Sequence, residues 1–428
     1  MSSATPVRAD NALPHQPSSF ARESMFYSPA WMVAVGFAVR LLCIAVELSL
    51  NLYQVPWRLF EMANIGHSLA LGHGFASPFG GSTGPTTWTA PVYPFVISLA
   101  FRIFGVNSIG AAFFLFTFNS AFSALTSWTV YCIARRLFSA KVAAWSGWIW
   151  AFFPYAIYWS VIWIWETSLS AFLLSLLFLL TLQMERSDRL WHWIRFGLLW
   201  GLVALTNTSA LSWLPLSGCW LAYRLHRAGK PFLRPVVLSA VVFWAAITPW
   251  LVRNYLVFDK LIFIRGDFGS ELRAGNNPNA QGRWVVNYTC NNPELFAEYK
   301  LMGEVRYDAQ QKRAAEEWIA EDPGRFWGIC YRRFLNFWSG LPETRLPLFE
   351  ELLFSALTPL CFAGLVKALR RRVHGLFLFI TLLTFYPLVY YVTFPNTRYR
   401  HAIEPILLIL AVSFVVSDTT PPELRSAR

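Results

Sequence analysis

The chain has 428 residues, 55% of them hydrophobic, 17% aromatic and only 14% charged, with a mean hydropathy of +0.40. Soluble domains carry roughly 25% charged residues, so the composition excludes a soluble enzyme and predicts an all-α polytopic membrane protein. The formal net charge of +12 does not call for nucleic acid as a partner. Its Lys and Arg fall in short loops beside apolar spans, where topology control and anionic membrane lipids account for them.

Residues 1–28 are polar, without an apolar core, and read as a cytoplasmic tail rather than a cleavable signal. Residues 29–50 suffice to cross a bilayer, which takes about 20 residues. Arg40 and Glu47, seven apart on one face, are expected toward the bundle interior. The first sizeable non-spanning stretch follows, WRLFEMANIGHSLALGHGFASPFGGSTGPTTWTAPVYP at 57–94. Over 57–71 Glu61, Asn64 and Ser68 share one face, while Leu59, Met62, Ala63, Leu69 and Ala70 lie opposite. That pattern predicts a helix lying in the interface plane. Beyond it, Gly and Pro specify a long irregular loop, and loops of that length are commonly functional. Phe75, Phe79, Trp88 and Tyr93 argue for its being ordered.

Apolar segments then occupy 91–104, 108–134, 142–165, 167–184, 196–223 and 236–257. The polar stretch 258–344 begins with alternating, Gly- and Asn-rich sequence at 261–288, predicting short strands and turns. Asn292-Pro293 and Asp322-Pro323 follow as helix N-caps with Pro at the first helical position. The second of these helices is expected to pack Phe326, Trp327, Cys330 and Phe334, with Arg332 and Arg333 turned aside. Spans at 350–369, 375–394 and 403–416 close the chain, giving 10–13 membrane helices. The expected organisation is a tail (1–28), a membrane region (29–257) with its first external loop at 51–91, a small α+β extracytoplasmic domain (258–345), C-terminal membrane helices (346–417) and a second tail (418–428). The basic clusters at 224–230 and 370–372 belong in the cytoplasm by the positive-inside rule. Parity between 91 and 166 then closes only if Arg135 and Arg136 are external or one segment is re-entrant. Of the six Cys, Cys290 and Cys330 fall in the polar region and leave a disulfide open. No Cys/His spacing of a metal site is present.

Glu61 is the single carboxylate between residues 51 and 141; it is either a general base or a solvated interfacial charge. Glu166 ends the aromatic run VIWIWET, where an acid faces a cavity, a partner or headgroup water. Together the two acids either split their pKa values or share a divalent cation. Arg253, Asn254 and Tyr255 close one span, and Arg398, Tyr399, Arg400 and His401 open another on the same side. Their guanidinium forks suit a phosphate, with plain interface anchoring as the alternative. Of the loop histidines, His67 and His73, each is a packing residue or a ligand. Asn276 lies in the turn GNNP, whose amides could face a sugar or phosphate.

The order of these features resembles the bacterial membrane glycosyltransferases of the GT-C class, family 39, related to lipid A aminoarabinose transferases and protein mannosyltransferases. It runs from a first-loop acid through GHGF, PVYP, a helix-end acid, RNY and GNNP to RYRHAIEP. The resemblance spans 58–416. Two departures are Phe60-Glu61 in place of an Asp-Glu pair, and Thr89-Ala90-Pro91 in place of Lys-Pro-Pro. The resemblance implies an inverting enzyme of the bacterial plasma membrane. It would take a polyprenyl-phosphate sugar donor on the extracytoplasmic side and pass the sugar to a glycan, lipid or protein acceptor. Glu61 and Glu166 match the catalytic acids. The substrate-binding set comprises Arg58, Asn64, His73, Trp88, Tyr93, Arg253, Tyr255, Asn276, Arg398, Tyr399, Arg400 and His401. No metal ligand is assigned, although a divalent cation stays open as cofactor. The competing readings are a lipid-linked sugar flippase or transporter, and an oligosaccharide ligase or polymerase.

Overall fold

The computed structural model describes residues 25–49, 61–187, 189–340 and 347–416. In chain order the helices are α1 (Pro29–Ser49), α2 (Glu61–Ala70), α3 (Val92–Phe104), α4 (Ile109–Leu137), α5 (Ala140–Ala151), α6 (Pro154–Val161), α7 (Thr167–Met184), α8 (Leu190–Ala204), α9 (Leu214–Arg227) and α10 (Leu233–Phe258). They continue with α11 (Phe268–Gly275), α12 (Pro293–Met302), α13 (Glu304–Glu321), α14 (Pro323–Ser339), α15 (Pro347–Arg370), α16 (Leu376–Phe385), α17 (Leu388–Val392), α18 (Thr397–His401) and α19 (Glu404–Val415). Among the described residues five helices are long and apolar enough to cross a membrane: α1, α4, α7, α10 and the Leu353–Arg370 part of α15. The span of α7 is 83% buried, against 22% for α1 and 28% for α10. This makes α7 the central pillar, with the other two on the lipid-facing rim. Hydroxyl side chains let its neighbours come close, as where Thr129 Oγ1 meets Ser175 Oγ at 2.7 Å.

Contacts along the helices fix their directions. Ascending residues of α5 and α6 meet descending levels of α4: Gly147 lies against Ser127, Trp150 Nε1 donates to the Ser123 carbonyl, and Asn119 Nδ2 donates to the Trp163 carbonyl. The two short helices, broken at Phe153-Pro154, therefore make one pass. Glu185 collects the opposite end of the bundle. Its carboxylate takes Arg136 at 3.4 Å and Arg224 at 3.2 Å, together with His374. Arg136 thus shares a face with Arg224 and the Arg370–Arg372 cluster, which speaks against external Arg135 and Arg136 and leaves the alternative of a segment that does not cross. The segment 91–104 is that one. α3 starts beside Leu205, whose carbonyl accepts from Val92 N, and folds back along the part of α4 lying beyond Asn119. Beside the five long helices, Val92–Phe104, Leu376–Val392 and Glu404–Val415 are shorter apolar helices among the described residues.

Other expectations change too. Among the described residues no strand exists in 258–340, and the sole β-bridge pairs Ala76 with Pro85 in the first loop. The domain is helical, not α+β. Its Gly and Asn serve close packing instead: a Cβ on Gly275 would sit 2.0 Å from the Thr393 carbonyl oxygen. α2 does not present its apolar face to lipid but packs on α3, where a Cβ on Gly66 would meet Ile97 at 2.5 Å. Ser68 turns inward and donates to the Gly74 carbonyl. On α14 Phe326 and Cys330 are buried and Arg332 is exposed, as expected, but three positions differ. Arg333 is buried because four acceptors from elsewhere receive it, and Trp327 and Phe334 point out. Both N-caps form as read: Asn292 accepts from Glu294 N and Asp322 from Arg325 N. Cys290 and Cys330 are both free thiols. Arg40 lies inside the bundle, donating to Ser123 Oγ and to the Gly36 and Ala151 carbonyls.

Candidate active site

The first loop, the end of α10 and the 258–340 region meet above the bundle, on the face opposite Glu185. Three clamps hold the loop. Arg253 donates to the carbonyls of Thr86 and Phe75 at 2.8 and 2.9 Å and lies over the rings of Trp250 and Phe75. Glu304, first residue of α13, accepts from Thr86 Oγ1, Thr87 N, Thr87 Oγ1 and Tyr299 OH. Trp88 and Phe79 fill an aromatic pocket with Tyr299. The loop's backbone hydrogen bonds are therefore largely met by side chains, which is how irregular chain stays ordered without a sheet.

Beneath this clamped loop, charges converge. Glu61 opens the described part of α2, where the helix dipole favours an acid. Burial pushes its carboxyl above the ordinary range, against a local backbone hydrogen bond and the pull of Arg398. Glu166 caps α7 without bonding the helix through its side chain, and its Oε2 is buried with no hydrogen-bond partner. Burial raises this carboxyl to about 7, with Arg398 opposing. Arg398 is set by the Asn396 cap, which accepts from its amide. The guanidinium lies 4.3 Å over Trp165 and bonds Tyr399 OH at 3.1 Å, leaving Nε buried and unpartnered. Although burial works against its charge, Tyr399, Glu166 and Glu61 outweigh that and keep it cationic. Tyr399 stacks on Tyr390 with ring centroids 4.4 Å apart.

A second cation stands alongside. Arg265 pairs with Asp267, reaches Glu271 at 3.7 Å and donates to the Trp88 carbonyl at 3.2 Å. Gly266 is required there, since a Cβ would meet Thr87 Oγ1 at 2.5 Å. Arg265, Asp267, Glu271 and Tyr390 lie outside the substrate-binding set expected from the sequence. The signal was the cluster RGDFGSE, three charges within seven residues just after a span. Tyr93, from the expected set, reaches the site's edge, where its hydroxyl bonds Asn119 Oδ1 at 3.0 Å.

The remaining expected ligands lie elsewhere. Arg253 is engaged with loop carbonyls and aromatic rings. Asn276 is buried, donating to the Leu272 and Val392 carbonyls and accepting from Arg333. Arg400 and His401 point into the bundle: Arg400 donates to the Trp338 carbonyl and lies over Phe354, while His401 bonds Glu404 and stacks on Trp150. Alternate residues of a short helix face opposite ways, so Arg398 and Arg400 cannot share one phosphate site. Tyr255 is 52% exposed on the outer side of α10. Asn64 donates to the Pro78 carbonyl, Trp88 packs in the loop pocket, and His73 is exposed. Arg58 lies outside the described residues.

Residues 88–252 match the dolichyl-phosphate-mannose-protein mannosyltransferase family. The fold is similar to the archaeal oligosaccharyltransferase AglB from Archaeoglobus fulgidus, solved with an inhibitory peptide and a dolichol-phosphate. The identity is 14%, the TM-score 0.50, and the match covers 90% of this chain and 50% of that one. The chain spans about half the length of AglB. ArnT from Cupriavidus metallidurans, bound to undecaprenyl phosphate, also matches at 14% identity and a TM-score of 0.39, covering 93% of this chain and 78% of ArnT. No curated protein matches the sequence significantly.

Proposed function

We propose that this chain is an inverting glycosyltransferase of the GT-C class that moves a sugar from a polyprenyl-phosphate donor to a glycan, lipid or protein hydroxyl. The observation that carries the reading is the convergence of Glu61 and Glu166 on Arg398, whose Nε is unpartnered. In this mechanism Glu61 takes the acceptor proton as the acceptor oxygen attacks the anomeric carbon. The bond from that carbon to the phosphate oxygen breaks, and its electron pair leaves with the phosphate. Arg398, with Arg265 beside it, stabilises the charge that develops there. Glu166 orients the acceptor. Phosphate is already a good leaving group, so a positioned base contributing about 10²–10⁴-fold and preset cations suffice. The Arg-rich face at Glu185 belongs in the cytoplasm by the positive-inside rule, which puts the site on the extracytoplasmic side. There the prenyl tail keeps the sugar at the membrane surface.

The test is transfer in proteoliposomes supplied with a radiolabelled sugar on polyprenyl phosphate. Label passing to an acceptor supports the reading. Movement of the donor across the bilayer with no transfer would contradict it and favour a flippase.

A further inference from the structure

α14 has two apolar sides. One, with Phe326, Ile329, Cys330, Arg333 and Phe337, is buried in the protein. The other carries Trp327, Tyr331, Phe334 and Leu335 at i, i+4, i+7 and i+8 spacing. All four are exposed, Trp327 at 68% and Tyr331 at 63%. Arg325 and Arg332, both exposed, border this stripe on one edge. Aromatic residues along an outward face with Arg at its margin is the pattern of a helix lying in a membrane interface.

The helix also ends against a long apolar helix. The Trp338 carbonyl accepts from Thr358 Oγ1 at 2.5 Å, and the Trp338 ring lies 5.1 Å from that of Phe362. Thr358 belongs to the apolar span Leu353–Arg370 of α15, so the end of α14 is tied to a helix long enough to cross a membrane. Phe362 and Val366 on that span are exposed as well, so α15 also turns apolar side chains outward where α14 ends against it.

We propose that α14 docks in the phospholipid leaflet on the site's side, its Trp327–Tyr331–Leu335 stripe immersed at the acyl–headgroup boundary. Through its other face the helix fixes the site to that depth. Arg333 donates to Gly275 O and Asn276 Oδ1 at the end of α11, and to the Tyr391 and Val392 carbonyls at the end of α17. α11 carries Glu271, and the chain after α17 carries Arg398. Lipid contact on one side of α14 therefore sets the height of two site elements above the bilayer.

The test is site-directed spin labelling of the full chain in phospholipid nanodiscs, with Cys43, Cys132 and Cys219 replaced by Ala. A nitroxide at Tyr331→Cys is compared with one at Val366→Cys as the lipid reference and Glu317→Cys on α13 as the aqueous reference. Collision with oxygen and with a water-soluble nickel chelate is measured for each. The proposal expects Tyr331→Cys to resemble the lipid reference, with oxygen access high and nickel access low. Nickel access equal to that at Glu317→Cys overturns it. So does shielding from both reagents, which would mean a protein partner covers the stripe. Leu335→Cys, one turn on, gives the same readout if Tyr331→Cys fails to fold.

Discussion

Replacing Glu304 by Ala removes the acceptor for four hydrogen bonds, those from Thr86 Oγ1, Thr87 N, Thr87 Oγ1 and Tyr299 OH. The Thr86 and Thr87 hydroxyls can turn toward other acceptors, but the Thr87 amide cannot. Each buried donor left unpaired costs about 1–3 kcal/mol, and water entering the gap recovers part of that. A net weakening of the loop clamp by about 3–5 kcal/mol follows. At 1.36 kcal/mol per tenfold, protection of the Thr87 amide falls by about 10²–10⁴. Hydrogen exchange on the peptide covering residues 75–88, in nanodiscs, reads this directly. Glu304→Gln keeps one oxygen acceptor and should lose much less. Because Arg265 donates to the Trp88 carbonyl and Gly266 N to Thr87 O, the alanine variant should also slow transfer by displacing Arg265. Unchanged exchange at Thr87 in Glu304→Ala would refute the view that this carboxylate holds the loop.

The two arginines separate in the same way. Arg398→Lys should raise the donor KM and lower kcat, a lysine being unable to form the same fork, while Arg253→Lys should chiefly loosen the loop; equal effects on donor binding would return Arg253 to the phosphate site. Glu166 binds a proton more tightly folded, at about 7, than unfolded, at about 4.3. Its contribution to stability is thus complete below the unfolded value and lost as pH rises through the folded one. Glu166→Gln should flatten that part of the curve of thermal stability against pH, and an unchanged slope contradicts the raised carboxyl. Chelation with EDTA should leave transfer unaltered if Glu61 acts as a base; loss restored by added Mg²⁺ or Mn²⁺ would assign Glu61 and Glu166 to a cation.

Glu61 and Glu166 stood out in the sequence because each is a charge set in an apolar neighbourhood, where its presence needs a reason, and Arg398 because it lies in a basic cluster, RYRH, between two apolar spans. Arg253 and Arg400 look the same in one dimension. Only the fold reveals that carbonyls of Thr86, Phe75 and Trp338 take their donors, and such long-range backbone acceptors leave no trace in composition. Arg333 was misjudged for that reason: a guanidinium can be buried when the Gly275, Tyr391 and Val392 carbonyls are brought to it. Strands were expected at 261–288 because Gly and Asn there resemble turn residues. Gly275 and Asn276 are small or bonded instead for close approach to the end of α17. The parity conflict came from counting α3 as a span by hydropathy, which cannot tell a helix that crosses from one that folds back along its neighbour.

The central claim is that Glu61 removes the acceptor proton beside a phosphate held by Arg398. Single-turnover transfer by Glu61→Gln, run with donor affinity measured on the same preparation, tests it most directly. The account predicts donor binding within about twofold of the parent chain and a chemical step slowed by about 10²–10⁴-fold. Transfer at the parental rate, or donor binding lost together with transfer, would contradict it.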